Sequence, residues 1–179
     1  MTRQEKQRIN EAKLQWSATK YPLARRDMTD AQFEGNYGGY SRTDTDANGL
    51  TACICDYLKY SGWQAERISS QGQARVNYKV DPYTGRRTGG ATGVTWTPGQ
   101  GTKGTADISA TISGHSVKIE VKQNDKQSEV QKKYQQSIEA AGGQYWLVHN
   151  MTEFFEFYDG FINYINKLKA FNNNQNALS

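Results

Sequence analysis

Apolar and polar residues alternate one by one from Asp107 to Ile112 and again from Ser116 to Lys122. On the first arm Ile108, Ala110 and Ile112 alternate with Asp107, Ser109 and Thr111; on the second Val117, Ile119 and Val121 alternate with Ser116, Lys118, Glu120 and Lys122. A period of two predicts two half-buried antiparallel strands, joined at Ser113-Gly114. A two-residue turn there pairs Ile112 with His115. The same register sets Asp107 directly opposite Glu120, with Lys122 two residues on and pointing the same way. Like charges directly opposite one another destabilise a sheet. A divalent cation between them relieves the conflict, and hard oxygen ligands of this kind suit Mg2+ or Mn2+. The alternative is an ordinary solvated strand face.

Helical spacing governs the flanks. Ile9, Ala12 and Trp16 predict an amphipathic helix within residues 1–30, broken at Tyr21-Pro22. It packs on the domain, mediates self-association or meets DNA through Arg25 and Arg26. Residues 35–49 have loop composition. A helix is expected from about Asn48 to Tyr60, with Leu50, Ile54, Tyr57 and Leu58 on its apolar face and Gly62 ending it. Strands follow at Gln64–Ser69 and Gln73–Val80, then a turn at Asp81–Gly85. The Gly- and Thr-rich residues 85–105 read as a mobile loop, which beside a candidate site is more often functional than not.

Ser128-Glu-Val-Gln131 has the form of a capping box. The helix it opens runs to Ala141, with Val130, Tyr134, Ile138 and Ala141 as its buried stripe and Gly142-Gly143 ending it. Gln144–His149 reads as a strand buried in a sheet. Thr152 is positioned to cap a last helix, to about Phe171, whose Phe154, Phe155, Tyr158, Phe161, Ile162 and Ile165 cover the domain. The tail 172–179 has the composition of a disordered segment. The order is helix, three or four strands, helix, strand, helix, which implies an α/β fold with a mixed sheet flanked by helices.

Composition narrows the partners. The chain has 179 residues, enough for one domain. Mean hydropathy is −0.85, and no apolar run approaches the roughly 20 residues that cross a bilayer. MTRQEKQRINEAK lacks the apolar stretch of a secretory signal. Cys53 and Cys55 are expected to be free, buried thiols, which fits a reducing, cytoplasmic setting; with two scattered histidines they make no zinc pattern. Net charge is +4. Between Arg67 and Lys103 the charges are Arg67, Arg75, Lys79, Arg86, Arg87 and Lys103 against Asp81 alone, with Tyr78, Tyr83 and Trp96 interspersed. Such a stretch can track phosphates and stack bases, or it is a solvated hairpin.

Taken together, Arg67 after the first helix, Gly104-x-x-Asp107, Glu120-Val-Lys122 and Ser128-x-x-Gln131 opening a helix that closes in Ala141-Gly-Gly resemble the PD-(D/E)XK nuclease superfamily. The likeness is to its small VRR-NUC and Holliday-junction-resolvase-like members, known among phage and mobile-element proteins. It spans residues 48–149. It implies a restriction-endonuclease-like core (α-β-β-β-α-β) over residues 35–171, with a helical extension at 1–34 and a further C-terminal helix.

The resemblance also implies roles. Asp107, Glu120 and the Val121 carbonyl would hold Mg2+ or Mn2+. Lys122 would orient or polarise the attacking water and offset charge on the phosphate. Gln131 would sit at the edge of the site, or serve only as the local staple of its capping box. Arg67, Arg75, Arg86, Arg87 and Lys103 would contact nucleic acid; Arg67 could instead pair with Glu66 or Asp81.

Many relatives carry a glutamate early in the first helix where this chain has Asn48. Asp44, Asp46, Asp56 or a water are the alternatives, and a second metal ion is correspondingly less expected. His115 lies far along the hairpin from the acids, and His149 ends a strand. The expected function is metal-dependent endonucleolytic cleavage of DNA, with a homodimer as one possible state; a nucleic-acid-binding module without catalysis is the alternative.

Overall fold

The computed structural model describes residues 1–68, 73–97, 102–123 and 125–176. Three helices open the chain: α1 (Arg3–Lys20), α2 (Pro22–Asp27) and α3 (Asp30–Tyr37). Pro22 begins α2, because a proline tolerated at a first helical position cannot continue the helix before it. Thr29 and Gln32 form a reciprocal capping box, which starts α3 and extends helix through residues expected to be loop. Then come α4 (Ala47–Tyr60), β1 (Gln64–Arg67), β2 (Gln73–Val80) and β3 (Arg87–Thr97). The rest is β4 (Ile108–Ile112), β5 (His115–Val121), α5 (Glu129–Ala140), β6 (Gln144–Val148) and α6 (Met151–Asn176).

The central sheet has the order β1-β4-β5-β6. β1, β4 and β5 run antiparallel and β6 lies parallel to β5, so the sheet is mixed. Ser113 and Gly114 both have positive φ, 52° and 86°, the signature of a type I′ hairpin turn. That turn fixes Ile112 opposite His115 and Ile108 opposite Ile119, the register the alternation predicts.

One face of the sheet carries Ile108, Ala110, Ile112, Val117, Ile119, Val121, Trp146 and Val148. All are buried, against Leu50, Ile54 and Leu58 of α4 and Phe154, Tyr158 and Ile165 of α6. Each large aliphatic side chain fully buried here contributes about 1.5–3 kcal/mol. Ile9 of α1 belongs to the same core. Arg8 ties α1 to α6 through Asp159 and lies 4.2 Å over the Phe155 ring. α1 therefore packs on the domain, and Arg25 and Arg26 pair with Asp30 and Asp27. Cys53 and Cys55 are free and buried, and burial pushes the Cys55 thiol up to about 11.

Five expectations need correction. Residues 87–97, read as loop, form a strand, because β2 supplies them with a partner along its whole length. β2 and β3 make a separate two-stranded ribbon rather than joining the main sheet. Val130 and Ala141 are not buried: α5 turns Gln131, Tyr134, Gln135 and Ile138 inward instead, and Gly104 packs against the Val130 backbone. Asn150, not Thr152, caps α6, accepting from the Glu153 amide at 2.9 Å. α6 also runs on to Asn176, into the segment expected to be disordered. Ser69, the end of the first expected strand, and residues 98–101 of the expected loop lie outside the described residues. No helix among the described residues is long and apolar enough to cross a membrane.

Candidate metal centre

Among the described residues Glu120 is the only acidic one in the buried set, at 2% exposure. The strand alternation turns it away from the aliphatic core, to the face that α5 covers. Its Oε1 accepts from the Gln131 side-chain amide and lies 3.2 Å from Lys122 Nζ. Its Oε2 is buried and has no hydrogen-bond partner among the described residues. A buried carboxylate oxygen left without a partner costs about 1–3 kcal/mol or more, so the site carries an unspent acceptor.

Asp107 is the next residue in line beyond the Ile108–Ile119 pair. Its Oδ2 accepts from the Val121 backbone amide at 2.9 Å, and its carbonyl accepts from the Ile68 amide at 2.7 Å. Both contacts hold it at the mouth of the β4–β5 pair, beside Glu120. Burial first, and the Asp107 charge second, push the Glu120 carboxyl above the usual glutamate range; Lys122 opposes them. The three residues Asp107, Glu120 and Lys122 are therefore brought together.

Gln131 closes its capping box and also reaches Glu120. Its Oε1 accepts from the Ser128 amide at 2.9 Å, closing the capping box. The other end of the same amide group must then present its N–H donors, and these face Glu120. The cap thus fixes which way the side chain points.

Tyr145, on β6, was not anticipated. It pairs with Lys118 in the parallel register, which puts it on the same face as Glu120. Its hydroxyl is buried close enough to Glu120 to oppose the rise of that carboxyl's pKa, yet it makes no hydrogen bond of full geometry among the described residues. Burial, followed by the charge of Glu120, raises its pKa. Thr105 Oγ1 is a further buried oxygen without a partner, two residues before Asp107.

Asn48 stands in the first turn of α4, and its Oδ1 accepts from Arg67 Nη2 at 2.5 Å. Arg67 has no ion pair with Glu66 or Asp81 among the described residues. The two line an open cleft with Arg42, Thr43 and Gly49. The acids considered beside Asn48 are otherwise engaged. Asp44 is held by the amino group of Met1, Asp46 caps α4 through the Gly49 amide, and Asp56 bonds Tyr40 and Arg42. Arg75, Arg86 and Arg87 belong to the β2–β3 ribbon and Lys103 to the segment before Asp107; all four are exposed. His149 pairs with Glu153 at 2.8 Å, and His115 packs edge-on against Phe161.

Among the described residues no group of three or more His, Cys, Asp or Glu gathers as a metal site. Two carboxylates suffice for Mg2+, which keeps several waters and takes the rest of its oxygens from a phosphate. The donor set fits that ion: all oxygen, two acids, and one acid oxygen buried without a partner. No family model, no curated protein and no solved structure matches this chain.

Proposed function

We propose that this chain is a Mg2+- or Mn2+-dependent endonuclease that hydrolyses DNA phosphodiester bonds, built on a core of the PD-(D/E)XK kind. The observation that carries the reading is the buried Glu120 carboxylate: one oxygen held by Gln131 and Lys122, the other without a partner, with Asp107 beside it. Lys122 pairs with one oxygen only, and the buried second oxygen is the acceptor a metal ion would use, since a buried charge is costly unless fully paired or coordinating a metal.

Asp107, Glu120 and the Val121 carbonyl would hold the ion. When bound, it supplies Lewis acidity and lowers the pKa of water. Lys122 brings its side-chain nitrogen to the edge of the carboxylates, where it would offset negative charge building on the phosphate. Gln131 keeps Glu120 in one rotamer, so the acid oxygen faces the site without reorganising. Gly104 lets the chain before Asp107 pass against α5 at a distance that no side chain allows: a Cβ there would meet the Val130 backbone at 2.9 Å.

The test is incubation of linear, nicked and branched DNA with the purified protein, with and without Mg2+ or Mn2+. Wild type cuts at least one of them in a metal-dependent way, and Asp107→Ala, Glu120→Ala and Lys122→Ala each abolish the product while circular dichroism stays native. Cleavage retained by Glu120→Ala refutes the reading.

One observation favours a second reading, a nucleic-acid-binding module without catalysis. Asn48 occupies the helix position where a glutamate serves the relatives, and it is already committed to Arg67. That reading predicts salt-sensitive DNA binding and no metal-dependent product.

A further inference from the structure

β2 and β3 form a ribbon that no other described residues cover. β3 is exposed at every one of its positions, and β2 is nearly so. An isolated two-stranded ribbon is marginal in water, yet this one keeps large apolar side chains in the open: Val76 at 46%, Val94 at 65% and Trp96 at 62% exposure. The pairs Ala74–Trp96 and Val76–Val94 place these on one face. Arg75, Asn77 and Thr95 occupy the other, with the Asn77 amide on the Thr95 hydroxyl. Two register shifts, between Asn77 and Tyr78 and between Tyr78 and Val80, add twist.

The ribbon's charge says what covers it. Arg75, Lys79, Arg86 and Arg87 are spread from base to tip, against Asp81 alone. Asp81 is spent on the turn, where its carboxylate accepts from the Tyr83 and Thr84 amides at 2.8 Å. The cations have no acidic partner among the described residues. The chain also limits where the ribbon can go. Ile68 bonds to Asp107, and Gln73 follows five residues later, a reach of at most about 18 Å. The base of the ribbon is therefore tethered within about 18 Å of Ile68, which bonds to Asp107.

We propose that the β2–β3 ribbon is a duplex grip: it lies along a groove of double-stranded nucleic acid, its cations on the flanking phosphates, and so presents a backbone phosphate to the Asp107–Glu120 site. The inference deepens the nuclease reading and rests on it for the second clause. A major groove about 12 Å wide admits a two-stranded ribbon. A single strand would instead need a row of free aromatic faces for its bases. Here the Tyr78 ring is covered by Arg87 at 3.6 Å, which leaves Trp96 alone on its face of the ribbon and Tyr83 at the turn.

The experiment uses the full chain in EDTA, so it needs no turnover and stands whether or not the metal site cuts. Binding of a labelled 20-base-pair duplex and of the matching single strand is followed by anisotropy across a salt series. Wild type is expected to favour the duplex at least about tenfold. Arg75→Gln/Arg86→Gln/Arg87→Gln is expected to weaken duplex binding by more than tenfold and to lower the slope of log K against log salt by about 2.7, for three phosphate contacts. A control that removes the same charge elsewhere, Lys6→Gln/Lys59→Gln/Lys167→Gln, keeps most of the affinity. Duplex binding is also expected to shield Trp96 from iodide quenching, an effect lost in Trp96→Phe. The proposal is overturned if the triple arginine variant binds like wild type, if the single strand binds as tightly as the duplex, or if sedimentation shows that the ribbon substitutions dissociate an oligomer instead.

Discussion

The Gln131 side chain joins Ser128 to Glu120: its oxygen caps α5 and its nitrogen faces the buried Glu120 carboxylate. A helix start and a candidate metal ligand thus share a single amide. Gln131→Ala is expected to lose about 1 kcal/mol of stability with the cap and to weaken Mn2+ binding 10- to 100-fold, as loss of a partner to a ligand does. Ser128→Ala loses a similar stability but leaves the Glu120 contact, so its Mn2+ affinity stays nearer wild type. Urea denaturation and calorimetric Mn2+ titration separate the two.

Burial and Asp107 make Glu120 hold its proton more tightly in the folded chain than in the unfolded one. The folded state then binds more protons between the ordinary glutamate range and the raised value, so stability falls as pH rises through that window. Above it the whole penalty remains. In EDTA at about pH 8, Glu120→Gln is expected to melt higher than wild type, and at about pH 4, near the unperturbed glutamate value, the gap closes. A variant that melts lower at both pH values contradicts the assignment.

Lys122 sits at 17% side-chain exposure, 3.2 Å from Glu120. If it acts on the phosphate, Lys122→Gln lowers kcat on the order of 10²- to 10³-fold while Mn2+ binding persists, because the carboxylates are untouched. Equal losses in metal affinity and turnover would instead make it a support for Glu120.

Gly104 has φ +80° and backbone atoms of Val130 at 2.9 Å from where a Cβ would stand. Gly104→Ala combines left-handed strain with a collision and is expected to cost at least about 1 kcal/mol. The displaced strand entry carries Asp107 with it, so Mn2+ affinity falls too. Gly114→Ala has the strain without the collision and serves as the control for it.

The β4–β5 hairpin was legible because strict alternation and a two-residue turn leave a single register, and that register places Asp107, Glu120 and Lys122. α4 was legible for the same reason at helical period. β3 was not: RTGGATGVTWT has the composition of a loop, and only pairing with β2 makes it a strand. Tyr145 was hidden inside QYWLV, which reads as uniformly apolar; its orientation depends on the parallel register with β5, which no local pattern encodes. The Asn48–Arg67 bond joins a helix start to a strand end across the fold and likewise leaves no trace in spacing.

The most direct measurement is a crystal structure grown with Mn2+, with anomalous diffraction collected to locate the ion. An anomalous peak about 2.0–2.3 Å from oxygens of both Asp107 and Glu120, with Glu120 Oε2 among them, is the predicted result. A structure in which Mn2+ binds elsewhere, or in which water or Tyr145 satisfies Glu120 Oε2 at saturating Mn2+, contradicts it.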